Sequence, residues 1–151
     1  MTITYLKGDA TYPQSDGNKI IPHVTNDSSK WGKGFVLALS KRWKEPEEAY
    51  RSVKLAKLYL GMVQFICVEN DIIVANMVGQ HDIIRNELGE PPVRYWAIKM
   101  ALIQVNRMAK LSKSTLHCPR FGAGLAGGEW KEIEKIIKET IEVDVFVYDL
   151  I

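Results

Sequence analysis

The sequence predicts one α/β domain of three layers, in which a mixed, mostly parallel central sheet lies between helices on both faces. Segments rich in β-branched residues alternate along the chain with segments whose apolar residues recur at helical spacing. No repeat or low-complexity tract interrupts this alternation. A chain of 151 residues buries roughly two-thirds of its unfolded surface, so we expect residues 1–151 to form a single domain that needs no disulfide.

The first half of the chain is predicted to contain four strands and two helices. Residues 2–6 alternate as a short strand that ends in a Gly-Asp turn, and residues 19–25 form a buried strand that contains a proline. The two helices predicted to follow are residues 35–43 and 46–60, and the two strands of a predicted hairpin are residues 62–68 and 72–77.

The second half of the chain contains the longest predicted helix, residues 93–111, where apolar residues recur every three or four positions. A strand at residues 115–118 runs into a glycine-rich loop at residues 119–128. An amphipathic helix at residues 129–140 and a closing strand at residues 143–148 complete the alternation.

Composition narrows the possible function classes. Twenty Lys and Arg residues against 18 Asp and Glu residues give a net charge of +2 without a run of either sign, which argues against binding nucleic acid through bulk charge. No apolar stretch approaches the ~20 residues that span a bilayer, and no signal-peptide pattern is present. We therefore expect a cytoplasmic protein without membrane contact, while no motif indicates an oligomeric state.

The two cysteines, Cys67 and Cys118, lie in apolar runs without the spacing of a metal site. We expect both to be buried, reduced thiols. The three histidines show no metal-ligand spacing with carboxylates either. The sequence therefore predicts neither a metal nor a cofactor.

Two segments, residues 26–34 and 122–128, share one plan in which a strand ends, a glycine-rich loop follows and a helix begins. The first turn of a helix offers free backbone N–H groups, and glycines let a phosphate approach the backbone, so this plan favours anions. Two such loops suggest a diphosphate, although glycines also make ordinary tight turns. Neither loop matches the Walker A or the dinucleotide-binding pattern, which argues against kinases and dehydrogenases.

Five motifs in order along the chain resemble the macrodomain family that processes ADP-ribose-1''-phosphate. The resemblance covers essentially the whole chain and implies the three-layer α/β/α macrodomain fold, with ADP-ribose or a derivative as ligand. It is closest to the branch of ADP-ribose-1''-phosphate phosphatases and single-domain glutamate-ADP-ribose hydrolases. The motifs are Gly8-Asp9-Ala10-Thr11, His23-Val24-Thr25-Asn26-Asp27, Trp31-Gly32-Lys33-Gly34-Phe35, the run Pro119-Arg120-Phe121-Gly122-Ala123-Gly124-Leu125-Ala126-Gly127-Gly128, and Val147-Tyr148-Asp149-Leu150.

The resemblance also implies roles for individual residues. Asp9 would accept a hydrogen bond from the adenine amino group, and Asn26 would contact the distal ribose. Residues 31–35 would wrap the pyrophosphate and the distal ribose, and residues 121–128 would close over the diphosphate from the other side. The ligand-binding residues expected in this way are Gly8, Asp9, Ala10, Thr25, Asn26, Trp31, Gly32, Lys33, Gly34, Phe35, Pro119, Arg120, Phe121, Gly122, Ala123, Gly124, Leu125, Ala126 and Tyr148.

Each of these residue types also has a structural interpretation. Asp9 is a good turn or cap residue, and a loop asparagine such as Asn26 commonly forms an Asx-turn. Trp31 and Phe121 can cover a sugar and diphosphate or simply pack the loops, and with nearby lysines they can also stack single-stranded nucleic acid. Arg120 can attract a diphosphate or form a salt bridge, and Tyr148 can pack on adenine or belong to the core or rim.

The sequence departs from the catalytic pattern of the glutamate-ADP-ribose hydrolases. Those enzymes use a lysine after the hairpin and an aspartate in the second glycine loop, where this chain has Val78-Gly79-Gln80 and Ala126. We therefore expect no hydrolysis by that route. Three alternatives remain: hydrolysis of the phosphate monoester of ADP-ribose-1''-phosphate, ADP-ribose binding without turnover, and removal of ADP-ribose from a macromolecule by another route.

The catalytic candidates for a phosphatase are His23, Asn26 and Asp27, which would position a water against a phosphate held by the loop amides. Asp27 is as well explained by helix capping or solvation. A lone strand histidine is usually a hydrogen-bonded core residue, which applies to His23 and to His117. We expect His81 to be solvated.

Overall fold

A six-stranded sheet runs through the centre of the protein, whose computed structural model describes residues 1–151. Its strands are β1 (Ile3–Lys7), β2 (Asn18–Asn26), β3 (Val63–Glu69), β4 (Ile72–Gln80), β5 (Ser114–Cys118) and β6 (Val145–Asp149). The helices are α1 (Phe35–Arg42), α2 (Glu45–Ser52), α3 (Tyr95–Ser112) and α4 (Trp130–Thr140).

The strand order is β1-β6-β5-β2-β4-β3, and every neighbouring pair is parallel except the β3–β4 hairpin. The predicted mixed, mostly parallel sheet is therefore confirmed. β2 lies inside the sheet, where Ile20 pairs with Ile73 of β4 and with Leu116 of β5. Because parallel strands end at the same edge, β1, β2, β4, β5 and β6 all deliver their following residues to one side of the molecule.

Two apolar clusters lie on opposite faces of the sheet and make the three layers. The larger cluster joins α3 and α4 to one face through residues such as Ile98, Leu102 and Ile133. The smaller cluster joins α1 and α2 to the other face and includes Leu39 and Tyr50. Helices on both faces confirm the predicted α/β/α layering.

The second helix is shorter than predicted. It ends at Ser52, and only a 3₁₀ turn at Leu55–Lys57 follows within the predicted residues 46–60. The Ala49 carbonyl, which would accept from residue 53 in a longer helix, instead accepts from the Ser52 hydroxyl at 2.7 Å and the Gln64 amide at 2.9 Å. Competition for that carbonyl by one local side chain and one from β3 replaces the helical bond and ends the helix.

The prediction that both cysteines are buried is wrong for Cys67. Cys118 is buried in the larger cluster, and burial raises the pKa of its thiol. Cys67 is exposed because β3 is the edge strand of the sheet, with a register irregularity between Cys67 and Glu69. Its apolar sequence neighbours did not distinguish an edge strand from a central one.

Two element boundaries move in ways that bear on the site. β4 continues past the predicted residue 77 to Gln80, which brings that side chain to the edge where the parallel strands end. α3 begins at Tyr95, two residues later than predicted, after a β-bridge between Gln80 and Val93. None of the helices has the length and apolar character needed to cross a membrane.

The packing of α3 yields a first testable prediction. Leu102 is fully buried, so Leu102→Ala should lower the free energy of unfolding by about 2–5 kcal/mol through lost transfer energy and the cavity left behind. Leu111 lies on the same helix and is 83% exposed, so Leu111→Ala should change stability by no more than about 0.5 kcal/mol. Urea denaturation of both variants measures the difference, and equal losses would contradict this placement of the helix.

Candidate functional site

A cleft of about 510 Å³ lies at the edge where the parallel strands end, and 20 residues line it. It takes residues from the ends of β1, β2, β4 and β6, from the start of α1 and from the loop after β5. The lining residues are Gly8, Asp9, Ala10, His23, Val24, Lys33, Gly34, Phe35, Val36, Ala38, Gln80, Pro119, Arg120, Phe121, Gly122, Ala123, Leu125, Ala126, Tyr148 and Leu150.

The first glycine loop delivers the start of α1 to the cleft. Gly34 precedes the helix with φ 82° and ψ −145°, a conformation that is essentially restricted to glycine. The first-turn residues Phe35 and Val36 line the cleft, and N–H groups of a first turn have no carbonyl partner within their helix. Lys33 adds a positive charge that no carboxylate pairs.

The second glycine loop lies against the core and forms the opposite wall. Gly122 has φ 79°, and a Cβ there would lie 2.8 Å from Ile133 Cδ1, so no larger residue fits without rearrangement. The loop is closed by a bond of 2.9 Å from the Gly128 N–H to the Gly122 carbonyl. The two loops approach each other, because a Cβ on Gly34 would lie 3.7 Å from Leu125 Cδ1.

Asp9 combines a turn-forming oxygen with a free one. Its Oδ1 accepts from the Thr11 N–H at 2.9 Å and from the Thr11 hydroxyl at 2.8 Å, which is the turn interpretation of this residue. Its Oδ2 has no hydrogen-bond partner in the protein, and Asp9 lines the cleft. The carboxylate is therefore fixed in orientation while one oxygen can accept a donor from a ligand.

Arg120 and Tyr148 both line the cleft, but the charge of Arg120 is paired. Its Nε and one terminal nitrogen donate to the two oxygens of Asp149 at 2.7 and 3.0 Å. This bidentate ion pair holds the guanidinium over the Tyr5 ring, 5.0 Å from its centroid. The salt-bridge interpretation of Arg120 therefore applies, and Lys33 is the cation of the cleft without a carboxylate partner.

The Asn26 side chain organises the first loop instead of facing the cleft. Its Oδ1 accepts from the Ser28 and Lys30 N–H groups at 3.0 and 3.1 Å, and its amide nitrogen donates to the Lys30 carbonyl at 2.8 Å. The buried Tyr50 hydroxyl, whose pKa burial raises to about 12, donates to Asn26 as well. The Asx-turn alternative therefore describes this structure, in which both polar atoms of the Asn26 side chain bond to the loop.

Asp27 is also engaged away from the cleft. Its Oδ1 accepts from the Asp82 N–H at 2.8 Å, and its Oδ2 lies 2.7 Å from Nδ1 of His81. His81 is exposed, as expected, but it forms this pair rather than standing free in solvent. Asp27 thus fixes the segment after β4 to the end of β2.

His23 lines the cleft and is 1% exposed. Its Nε2 lies 2.6 Å from Oδ1 of Asn76, whose amide nitrogen donates to the Pro46 carbonyl, so Nε2 carries the proton. Its Nδ1 has no hydrogen-bond partner. Burial lowers the pKa of His23 to about 4, so the ring is neutral at physiological pH and Nδ1 is an acceptor.

The structure brings together 15 of the predicted residues and leaves six outside the cleft. Trp31 is buried between α1 and α2, with its indole N–H donating to the Ser40 hydroxyl at 2.9 Å, so it packs the loop instead of forming a wall. Thr25 is buried and donates to the Met77 carbonyl. The predicted residues outside the cleft are Thr25, Asn26, Asp27, Trp31, Gly32 and Gly124.

Sequence reasoning missed five residues of the cleft. Gln80 could have been predicted, because a strand that pairs in parallel with β2 must end at the same edge of the sheet. Leu150 follows Tyr148 at the alternate position, past the end of β6. The missed residues are Val24, Val36, Ala38, Gln80 and Leu150.

Comparisons with known proteins place this arrangement in a family. No family model matches the chain. A solved structure of a protein of unknown function from Bacteroides thetaiotaomicron is 51% identical, with a TM-score of 0.96 over 99% of this chain and 98% of that one. A macrodomain protein from Streptomyces coelicolor is 45% identical over 97% of this chain and 98% of that one, with a TM-score of 0.82. The chain is a macrodomain.

Two further relatives place this macrodomain in a wider context. The structure of Thermosipho africanus DarTG in complex with ADP-ribose is 15% identical, with a TM-score of 0.72 over 99% of this chain and 42% of that one, which shows a shared fold. The chromodomain-helicase-DNA-binding protein 1-like of Danio rerio is 30% identical across 92% of this chain. The macrodomain spans only 14% of the length of that curated relative.

The two buried histidines yield a prediction about pH. Burial lowers the pKa of both His23 and His117 to about 4, against 6.5 for the exposed side chain. Between those values the unfolded chain binds more protons than the folded one, so the free energy of unfolding falls as the pH drops. Each histidine contributes at most about 1.4 kcal/mol per pH unit.

Urea denaturation of the protein and of His23→Gln between pH 7 and pH 4.5 measures this contribution. The glutamine amide can still donate to Asn76 but does not titrate. The variant should therefore lose less stability on acidification than the unaltered protein. Identical slopes in the two proteins would contradict the neutral, buried state of His23.

Proposed function

We propose that the cleft binds ADP-ribose or a close derivative. The observation that carries this proposal is one cleft that combines a carboxylate oxygen without a partner, on Asp9, with two glycine-rich loops that face each other. An exocyclic amine at one point of a ligand and a diphosphate at another match those features. The T. africanus complex supports the proposal because a protein that contains a related fold was solved with this ligand.

The base of the ligand is proposed to lie near Asp9 and Tyr148. A Cβ on Gly8 would lie 3.7 Å from Cδ2 of Tyr148, so the ring and the Gly8-Asp9 turn border one end of the cleft. The adenine amino group would donate to Oδ2 of Asp9 in a charge-assisted hydrogen bond. The Tyr148 ring would supply an apolar surface for the base.

The diphosphate is proposed to lie between the two loops. Free N–H groups at the start of α1 and the positive end of its dipole favour anions there, and the charge of Lys33 adds to them. The distal ribose would then approach the far part of the cleft with Gln80. In the structure the Gln80 amide donates to the Asp82 carbonyl at 2.9 Å, so its oxygen stays free to accept.

Hydrolysis of the phosphate monoester of ADP-ribose-1''-phosphate is a second candidate function, and His23 favours it. His23 lines the cleft with a neutral imidazole whose Nδ1 lacks a partner, and because that atom is buried it would accept from an attacking water only where a bound substrate exposes it. Asn26 and Asp27, the other expected catalytic residues, are engaged in hydrogen bonds of their own and would act only by fixing the loop. Binding without turnover and removal of ADP-ribose from a macromolecule are the alternatives.

Asp9→Asn tests the binding proposal. The amide keeps an oxygen for the Thr11 turn. Where the adenine amine would donate, however, it presents a nitrogen and no negative charge. A hydrogen bond to a charged group contributes about 1.5–3 kcal/mol, so ADP-ribose affinity should fall about 10- to 100-fold. Calorimetric titration measures this, with exposed Asp16→Asn in the same loop as the matched control. Unchanged affinity in Asp9→Asn would remove Asp9 from the site.

Phosphate release from ADP-ribose-1''-phosphate, with ADP-ribose as a competitor, tests the phosphatase. Release that ADP-ribose inhibits, and that falls in His23→Phe, would place the reaction in this cleft. Release insensitive to ADP-ribose would point to another site or a contaminant. No release from a protein that binds ADP-ribose would leave binding without turnover or removal from a macromolecule.

A further inference from the structure

A chain of hydrogen bonds connects Tyr148, in the cleft, to the interior of the sheet. The Gln14 backbone N–H donates to the Tyr148 hydroxyl at 2.8 Å. The same hydroxyl lies 2.8 Å from Nδ1 of His117, which is fully buried in β5. Because a backbone N–H can only donate, the hydroxyl accepts from Gln14, and it forms a second hydrogen bond with Nδ1 of His117.

Both ring nitrogens of His117 have hydroxyl partners. Nδ1 contacts Tyr148, and Nε2 lies 2.8 Å from the Thr115 hydroxyl and 3.1 Å from that of Ser15. Burial first, and then the charge of Lys19, lower the pKa of His117 to about 4, so the ring stays neutral. The ring also stacks on Phe146 with centroids 4.9 Å apart.

These bonds tie the connection between β1 and β2 to the floor of the cleft. Gln14 and Ser15 belong to that connection, which begins with Gly8 and Asp9. A Cβ on Gly8 would lie 2.6 Å from the Gln14 side-chain nitrogen, so the connection folds back over its own start. Displacing the Tyr148 hydroxyl would therefore release the backbone that carries Asp9 as well as the ring.

We propose that His117 is a positioning residue for ligand binding, which acts through the Tyr148 hydroxyl to hold the Tyr148 ring and the Asp9 turn in register. The proposal rests on the binding function proposed for the cleft. The hydroxyl is bonded to Gln14 and His117 within the protein, so a ligand meets the ring as an apolar surface and meets Asp9 as the polar group. The chemistry held in place is recognition of a flat base that carries an amine.

Two substitutions of His117 separate this role from general stability. In His117→Asn the side-chain amide lies near the former Nδ1 and can still form a hydrogen bond with Tyr148, whereas His117→Leu has no polar group. Losing one buried hydrogen bond should weaken AMP binding about three- to tenfold in His117→Leu. His117→Asn should stay within about twofold of the unaltered protein on the same scale.

Ribose 5-phosphate, which lacks the base of AMP, is the matched control ligand. Its affinity should be the same in the unaltered protein and in His117→Leu, whereas a general loss of structure would weaken both ligands together. In a Tyr148→Phe background the leucine substitution should cause no further loss of AMP affinity, because its target hydroxyl is gone. Equal AMP affinity in the unaltered protein and His117→Leu, or equal losses for both ligands, would overturn the proposal.

Hydrogen exchange of the Gln14 amide distinguishes failure of this inference from failure of the binding function. Faster exchange in His117→Leu, with normal exchange in His117→Asn, is expected whether or not nucleotides bind. If the unaltered protein binds neither ADP-ribose nor AMP, the proposed function fails, and the positioning role fails with it. If the protein binds both nucleotides, and His117→Leu changes neither the exchange of the Gln14 amide nor the affinity for AMP, only the positioning role is overturned.

Discussion

Parallel pairing of β2 with β4 on one side and β5 on the other is the constraint on which the site depends. It forces the residues after several strands to one edge of the sheet, where the chain must turn into helices or loops. The Asp9 turn, the first glycine loop and the second glycine loop are all products of that arrangement. An antiparallel β2 would send its loop to the opposite edge and separate Asp27 from the segment after β4.

Buried polar groups keep these turns in place. Asn26 is held by the loop that it organises and by Tyr50, from a helix on one face of the sheet. Asn76 of β4 forms a hydrogen bond with His23 of β2, and His117 of β5 forms one with Tyr148 of β6. Buried polar groups destabilise a fold when they lack partners, so these contacts specify one arrangement of the loops. His23 Nδ1 is the exception, and it belongs to a residue that lines the cleft.

Periodicity predicted the elements that depend on local pattern, such as the buried β2 and the long α3, and the glycine loops located most of the cleft. Periodicity could not predict the end of α2, because the Ala49 carbonyl there accepts a hydrogen bond from Gln64 of β3, a contact between separate elements. Tyr50, which bonds to Asn26, lies 24 residues away in the sequence. Whether Asn26 forms a turn or contacts a ribose therefore depends on tertiary contacts that the local sequence does not show. Cys67 was misplaced for a related reason, since sequence neighbours do not show which strand is at the edge.

The charges of the cleft argue for holding a ligand more strongly than for acid–base chemistry on it. His23 is neutral because burial lowers its pKa, and Arg120 is paired with Asp149. Asp27 lies outside the cleft and is bonded to His81 and a backbone N–H. What remains unpaired is a carboxylate oxygen on Asp9 and an ammonium on Lys33. Opposite charges on separate loops orient an asymmetric ligand, because each end meets the sign that suits it. The imidazole of His23 adds no charge to this arrangement, because it is buried and neutral.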